Sequence, residues 1–490
     1  MYNLFRSRYF PLFIILLVFG FLFTFHLNRD PLTDWDECVY AQEGIEMHQT
    51  GNWIVNQWNK MPVFEKPPLN TILLQPFLFV SDTEAATRLP MVIMSLTLAV
   101  LIYTFALHYF SKRVAIMATL LLFISQLIVV YSFHVNTDMG FTLFTFAGFY
   151  LWICSRENSR FSYLSGIFFG LAALNKGLSV VPYLGALGFL ALLTLQKEQI
   201  VNIIKTTVMF FLTILPWHLY MHLRYGWQFW HVYFVEHILQ RSRYPIDFHL
   251  EGRLFYLKQI AKNTLPWLLF CVAPLIAILQ HGTHLCSLLN LKTFVKKHYV
   301  ILAVFLLIII PLISITRVRT RIAWYAMPLY PFLAIFIAYS IDLVLQKLKK
   351  NIYTYIVLLF LSTQALFLIW KETAPLQMQR TTDNRYAVLM KSSQYPQKDL
   401  YYLVWYSERV ADAILPKEQR TSTTFTYGGN PCAVYYSRKK VHYYYSTIAF
   451  QKQISHQKGL YLIQNGDKGI LKGISYKVLY ENADFTLLEN

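Results

Sequence analysis

Long runs of apolar residues, each close to the thickness of a bilayer core, decide what this chain can fold into. Clear examples cover residues 11–27, 89–109, 206–222, 299–315 and 352–370. About 20 helical residues cross the hydrocarbon core. A soluble core helix needs only one apolar stripe, whereas these runs are apolar on every face. Backbone polar groups in lipid must be satisfied within their own segment, so the runs are helices and not open strands. Composition agrees, since 56% of the 490 residues are hydrophobic and only 14% are charged. The segment 21–26 is too bulky for a signal-peptide cleavage site, so the first run is expected to stay as an uncleaved span. The expected fold class is mainly α, a polytopic membrane helix bundle of about 11–13 spans.

The chain carries 44 Lys+Arg against 26 Asp+Glu, a net charge of +18. Short basic loops explain the excess. Arg6/Arg8, Lys112/Arg113, Arg156/Arg160, Lys197/Lys205, Lys292/Lys296/Lys297 and Lys347/Lys349/Lys350 fall on one side if the spans alternate. That side is the expected cytoplasm, with the N-terminus on it. No basic stripe lies on a soluble domain, so no nucleic-acid partner is expected. The opposite side receives loops 28–88 and 223–263 and the tail. Runs 140–154 and 161–174 are short for full crossings and are expected to be shielded by protein. The chain is expected to turn tightly at Asn175-Lys176-Gly177.

The expected domains are residues 1–370, the membrane domain, and 371–490, a small α/β domain outside the membrane. The tail has strand-like runs at 400–406, 433–436, 441–445 and 459–463, with turn residues at Tyr427-Gly428-Gly429-Asn430-Pro431. Five cysteines, Cys38, Cys154, Cys271, Cys286 and Cys432, show neither metal spacing nor a disulfide framework. Cys38 and Cys432 could share a side of the membrane, but a bond between them is not expected.

The outer face holds the chemistry. The first loop reads Asp34-Trp35-Asp36-Glu37-Cys38-Val39-Tyr40-Ala41, then Gly51-Asn52-Trp53, then Phe64-Glu65-Lys66-Pro67-Pro68. Residues 37–49 are expected to form a short helix along the interface, with Asp34 or Asp36 near its N-terminus. A helix cap with solvated charges would explain the acids, and snorkelling from the interface would explain Lys66. Three further features favour a site. The acids directly follow a span, and Lys66 sits in a proline-braced turn. Asn136-Thr137-Asp138, Lys176, Glu236-His237 and Arg317/Arg319/Arg321 lie at the outer ends of other spans. Three arginines in one outer loop run against the charge rule for membranes, and such cations suit a lipid phosphate. Breaking a sugar–phosphate bond leaves an anionic oxygen that Lys66, Lys176 and the arginines could stabilise. Asp36 could deprotonate or orient an acceptor hydroxyl, and Asp138 could assist or bind sugar hydroxyls.

With these residues assembled, the chain resembles the lipid-linked-sugar glycosyltransferases of the GT-C fold, in particular the bacterial aminoarabinose (lipid A) transferases and the protein O-mannosyltransferases. The likeness covers roughly residues 10–370 and rests on the first-loop motifs above. It extends to Leu174-Asn175-Lys176-Gly177, Leu215-Pro216-Trp217, Glu236-His237 with Arg241, and Trp324-Tyr325-Ala326-Met327-Pro328 with Pro331. The resemblance implies catalytic or acceptor-positioning roles for Asp36, with Glu37 and Asp138 beside it. It implies donor-phosphate contacts for Lys66, Lys176, Arg319, Arg321 and Tyr325. Glu65 and His237 would lie near the reaction centre and could bind a divalent metal, although two ligands are an incomplete set. An ordinary hydrogen-bonded histidine is the competing reading of His237. Asn175, where Thr or Ser is more usual, is given no role.

No Walker A loop, dinucleotide-binding glycine pattern, zinc-protease helix or nucleophile elbow occurs. The expected function is an inverting transfer of a sugar from a polyprenyl-phosphate donor to lipid A, another glycan or a protein hydroxyl, at the periplasmic face of the bacterial inner membrane. The alternative is a transporter or flippase of a lipid-linked sugar. That reading calls for ionisable residues at the bilayer midplane and for related halves.

Overall fold

In a computed structural model of the chain, the described residues are 7–25, 27, 31–32, 35–194, 196–246, 249, 251–274, 276, 288–373, 384–395, 397–404, 427 and 430–490. The Asp34 cap and the Gly428-Gly429 turn lie outside them. The chain divides into two compact units. One comprises Met1–His26, Arg88–Trp227 and His249–Thr373; the other comprises Leu27–Thr87, Gln228–Phe248 and Ala374–Asn490. In this division the first outer loop and Gln228–Phe248 are grouped with the tail. The first outer loop belongs with the tail, because covalent and hydrogen-bonded links tie the two together.

The first unit is helical. Among the described residues, five helices are long and apolar enough to cross a membrane: Glu84–Tyr109, Lys197–Arg243, Tyr299–Arg317, Ala323–Leu348 and Asn351–Glu372. Shorter apolar helices include Phe10–Phe25, Asp138–Cys154 and Leu178–Thr194. Length and composition alone thus pick out fewer spans than the 11–13 expected from apolar runs, because several runs fold as short helices.

Two of these short runs form a helical hairpin, Asp138–Cys154 followed by Phe161–Lys176. The Asp138–Cys154 helix is buried along most of its length, as its short, mainly apolar sequence requires. The Ser165 hydroxyl donates to the Gly148 carbonyl at 2.8 Å across the hairpin. On its other side the second arm presses on the Lys197–Trp230 helix. A Cβ on Gly166 would meet the Thr206 carbonyl oxygen at 2.3 Å, and one on Gly170 would meet Thr213 Cβ at 2.5 Å. Small residues four apart let two membrane helices approach at backbone distance. Gly177, at φ 80°, ends the second arm, a conformation that favours glycine. Arg113 pairs with Asp342 at 2.8 Å, which neutralises a buried acid on an apolar helix.

The second unit starts with the Trp35–Thr50 helix. Its residues from Glu37 to Met47 are all buried, so it is not the interface helix that its sequence suggested. Protein covers it on more than one face. A Cβ on Gly44 would meet Cδ1 of Leu74 and of Leu78 at 3.0 Å, and Gln75 Nε2 donates to the Gly44 carbonyl at 3.0 Å. Elsewhere on the helix, Cys38 is joined to Cys432 by a disulfide across 394 residues of sequence. This bond was not expected, because the spacing of the two cysteines carries no framework signal.

A two-stranded hairpin follows, β1 (Gln57–Trp58) and β2 (Met61–Pro62), turning through Asn59 and Lys60 at φ 54° and 64°. The remaining strands are β3 (Leu400–Leu403), β4 (Val441–Tyr444), β5 (Leu460–Gln464), β6 (Lys477–Glu481) and β7 (Phe485–Glu489), in the order β4-β3-β5-β7-β6. β3 pairs parallel with β4 and β5, while β7 runs antiparallel to β5 and β6. All four residues of β3 are buried, as an inner strand with both faces covered requires. Tyr401, Leu403, Phe450, Ile454, Tyr461, Ile463, Leu471 and Leu488 form the core.

The run 433–436, expected as a strand, is instead part of the Cys432–Ser437 helix. Pro431 precedes its first turn and Arg438, at φ 56°, ends it. Tyr435 and Tyr436 gave the run its strand-like reading, but Pro431 sets a helix start before it. β6 and β7 were not foreseen. Residues 405–406, the end of the first expected strand, lie outside the described residues.

Candidate active site

In the second unit, successive turns of the Trp35–Thr50 helix place Asp36, Tyr40 and Glu43 at helical spacing along one face. Asp36 and Glu37 occupy the first turn, where the helix dipole favours negative charge. Asp36 is half-buried and Glu37 fully buried. The Lys66 ammonium donates to the Tyr40 hydroxyl and lies 4.7 Å from the centroid of the same ring. The Lys66 loop is shaped by the hairpin before it: the Val63 N–H donates to the Asn56 carbonyl at 2.9 Å, and Asn56 Nδ2 to the Lys66 carbonyl at 3.4 Å. Pro67 and Pro68 then lead into the Leu69–Leu78 helix. Lys66 is therefore held by its neighbours instead of trailing to an interface.

Glu43, which the sequence did not single out, is 3% exposed. Burial pushes its carboxyl up to about 8; Lys66 pulls the other way, and Glu65 and Glu46 add to the rise. Glu46 is also held above its ordinary value by burial. It accepts from Gln42 Nε2 at 2.8 Å and from the Lys60 N–H at 2.8 Å. Glu43 thus stands near Lys66, Glu65 and Glu46, and its burial favours the protonated form. A signal for Glu43 did exist, its spacing from Asp36 and Tyr40, but acids on a helix are common enough to hide it.

His237 Nε2 lies 4.0 Å from Glu65 Oε2. Both His237 Nε2 and Glu65 Oε1 are buried without a hydrogen-bond partner. The sequence-derived metal pair is thus brought together, with polar atoms that lack partners. No group of three His, Cys, Asp or Glu forms among the described residues. The pair suits a cation only if substrate or water oxygens complete its shell. His231 Nδ1 lies 3.3 Å from the Glu236 carboxylate, so Glu236 faces a different histidine.

The first unit holds the other expected residues. Asp138, at the start of its helix, forms an ion pair with Lys176, and the two side chains are 3% and 8% exposed. The Lys176 ammonium also sits 5.1 Å from the centroid of the Tyr325 ring. Asn175 Nδ2 donates to the Thr137 carbonyl at 2.5 Å, and the Met139 N–H donates to Asn136 Oδ1 at 2.7 Å. Asn175 thereby gains a role, fastening the Lys176 turn to the Asp138 helix start. Arg321 is buried and donates to backbone carbonyls: Glu251 at 2.5 Å through Nη1, and Thr316 through Nε at 3.3 Å and Nη2 at 3.1 Å. Its guanidinium fastens the arginine loop. Arg319 is exposed.

Comparison with known proteins places this geometry. Residues 65–220 match the family described as dolichyl-phosphate-mannose-protein mannosyltransferase. An undecaprenyl phosphate-alpha-4-amino-4-deoxy-L-arabinose arabinosyl transferase from Aeromonas hydrophila is 29% identical over 276 residues, 51% of this chain and 48% of the relative. A protein of the same description from Shewanella sediminis is 25% identical over 359 residues, 69% of this chain and 61% of the relative. The chain thus spans about half to three-fifths of the length of these curated relatives. The crystal structure of ArnT from Cupriavidus metallidurans bound to undecaprenyl phosphate superposes with a TM-score of 0.72 at 15% identity, covering 97% of both chains. An Archaeoglobus fulgidus oligosaccharyltransferase gives a TM-score of 0.50 at 12% identity, covering 81% of this chain and 62% of that one. This chain is a multi-pass membrane protein with the fold of ArnT, and it is similar over part of its length to the undecaprenyl-phosphate aminoarabinose transferases and, over residues 65–220, to the dolichyl-phosphate-mannose-protein mannosyltransferases.

Proposed function

We propose that the chain moves a sugar from a polyprenyl-phosphate donor to an acceptor on lipid A, another glycan or a protein hydroxyl, with inversion at the anomeric carbon. The acceptor oxygen bonds to the anomeric carbon as the carbon–oxygen bond to phosphate breaks, and the polyprenyl phosphate leaves with the electron pair. The observation that carries this reading is the Lys66 ammonium held by the hydroxyl and ring of Tyr40 beside the buried Glu43. A fixed cation beside a leaving phosphate oxygen stabilises charge where it develops. Asp36 takes the proton of a hydroxyl acceptor, with Glu37 beside it. Should the acceptor be a phosphate, already anionic, Asp36 orients it instead. Lys176, steadied by Asp138 and Tyr325, binds donor phosphate, as do Arg319 and Arg321. A divalent ion held by Glu65 and His237 would add charge for the phosphate oxygens.

Similarity to proteins described as undecaprenyl-phosphate sugar transferases supports this reading, as does the undecaprenyl phosphate in the Cupriavidus metallidurans structure. We place the site on the periplasmic face of the bacterial inner membrane, with the N-terminus in the cytoplasm and the C-terminal residues in the periplasm. The Cys38–Cys432 bond supports that placement, since disulfides persist in the oxidising periplasm.

The test offers purified protein in lipid a panel of polyprenyl-phosphate sugars, with cell-envelope acceptors, and follows release of free polyprenyl phosphate. Wild type should release it, and Asp36→Asn should lose at least about a hundredfold in rate while folding and inserting normally. Retained activity in Asp36→Asn would remove that residue from the mechanism. No release by wild type from any donor would point to transport.

A further inference from the structure

A helix on a water-facing surface turns its apolar face to protein and its polar face outward. The Leu69–Leu78 helix does the opposite. Its buried side carries Asn70, Thr71 and Gln75 together with Leu74 and Leu78. From Ile72 to Val80, every residue left partly or fully exposed is apolar: Ile72, Leu73, Pro76, Phe77, Phe79 and Val80. Ile72, Leu73, Pro76, Phe79 and Val80 have the spacing of one helical face. Phe79 and Val80 are 66% and 86% exposed. Their backbone is fixed, since the N–H groups of Phe79, Val80 and Ser81 donate to the Gln75 and Phe77 carbonyls at 3.0, 3.0 and 3.1 Å. Trp53, also exposed, stacks on Phe79 with centroids 6.4 Å apart, and the exposed His48 ring meets Phe79 edge to face at 4.8 Å.

We infer that this surface lies in the interfacial layer of the bilayer and anchors the loop carrying Lys66 at the depth of lipid phosphate groups. Chain connectivity decides the partner. Val80 is followed by Ser81-Asp82-Thr83 and then by Glu84, the first residue of the Glu84–Tyr109 span. Four residue steps reach about 14 Å at full extension, so Val80 stays close to the membrane. At the other end only Pro67 and Pro68 separate Lys66 from Leu69. Trp53 precedes the Lys66 loop and Phe79 follows it, so both flanks are held. An apolar helix face is stable at the boundary of headgroups and acyl chains, and tryptophan is at home at that depth. The interface helix that the sequence suggested at 37–49 is thus the next helix along the chain.

The anchor stands apart from the transfer reading, and only its consequence for the donor rests on it. The first arm of the test needs no turnover. In the full chain carrying Cys154→Ser, Cys271→Ser and Cys286→Ser, with the Cys38–Cys432 bond kept, Phe79→Cys is labelled with a small fluorophore. Ser455→Cys, exposed on the Thr447–His456 helix, is the aqueous control. The nanodiscs hold phosphatidylethanolamine and phosphatidylglycerol and no donor. A nitroxide near the lipid glycerol should quench the label at Phe79→Cys at least about threefold more than at Ser455→Cys, and aqueous iodide should do the opposite. Equal iodide quenching at both positions would overturn the inference. So would protection of Phe79→Cys from both quenchers, because a protein partner or a second copy would then cover the surface. A companion measurement leaves the cysteines alone: in nanodiscs of brominated lipid, Trp53→Phe should lose part of the lipid-quenched tryptophan emission. An undiminished quenched fraction would count against the anchor.

The second arm follows polyprenyl phosphate release from a panel donor that wild type accepts. Phe79→Ser combined with Val80→Ser strips the surface without touching Lys66, and a wild-type thermal midpoint checks its folding. Donor KM should rise roughly five- to tenfold with kcat within about twofold, because the loop spends less time at phosphate depth. A wild-type KM would show that the surface does not hold the loop. A fall in kcat at unchanged KM would overturn the inference too, since the surface would then shape the reacting groups. An inactive wild type would count against the transfer reading, and the quenching arm would still decide where the surface lies.

Discussion

Glu43 is a carboxylic acid buried on one face of a helix, and its state decides the charge around Lys66. Its folded value of about 8 exceeds the ordinary 4.5, so the folded chain holds a proton that the unfolded chain has released between those values. The sign follows directly: stability is full below about 4.5 and declines as pH rises toward about 8, by at most about 1.4 kcal/mol per pH unit. Glu43→Gln is neutral at every pH and should remove this decline. Thermal unfolding in nanodiscs from pH 4.5 to 8 should show the variant gaining on wild type as pH rises. Parallel curves would mean that Glu43 is not a buried acid. Glu65, Lys66 and His237 were legible from short motifs, because a proline-braced acidic–basic pair and an acidic–histidine pair are unusual in membrane loops. Glu43 was not, because its chemistry depends on what packs on it.

Apolar runs reveal helices reliably, because lipid permits few alternatives. They do not say how tightly the helices pack. Gly166 and Gly170 bring the Phe161–Lys176 and Lys197–Trp230 helices to backbone distance. Gly166→Ala must push a methyl against the Thr206 carbonyl oxygen, whereas a Cβ on Gly185, in a neighbouring apolar helix, meets nothing within 4 Å. Gly166→Ala should therefore cost about 1–3 kcal/mol of stability, and Gly185→Ala should cost none. Thermal midpoints of the two variants check this, and equal midpoints would show that the helices can part without penalty. The same limit explains the misread elements. Residues 433–436 look strand-like in their aromatic content, yet the disulfide and Pro431 fix a helix there. The Trp35–Thr50 helix reads as interfacial because it is polar, yet its polar residues are paired inside protein.

For the whole molecule, the tie between the first outer loop and the tail constrains topology more firmly than the count of spans. Cys38 follows the first apolar run and Cys432 follows the last, so their bond requires both regions to reach one compartment. If the spans alternate, the basic loop carrying Arg156 and Arg160 lies on the other side, as the distribution of positive charge also requires. Two exposed positions test this without disturbing the core: Asn158, in that basic loop, and Ser455, near the end of the Thr447–His456 helix. In intact spheroplasts a membrane-impermeant maleimide should label Ser455→Cys, and it should label Asn158→Cys only after the membrane is opened. The reverse pattern would put the Lys66 loop in the cytoplasm, where nucleotide sugars and not lipid-linked ones are the common donors. Labelling of both in intact spheroplasts would mean that the number of crossings between residues 158 and 455 is even. The pairing of basic loops with alternate spans would then have to be redrawn.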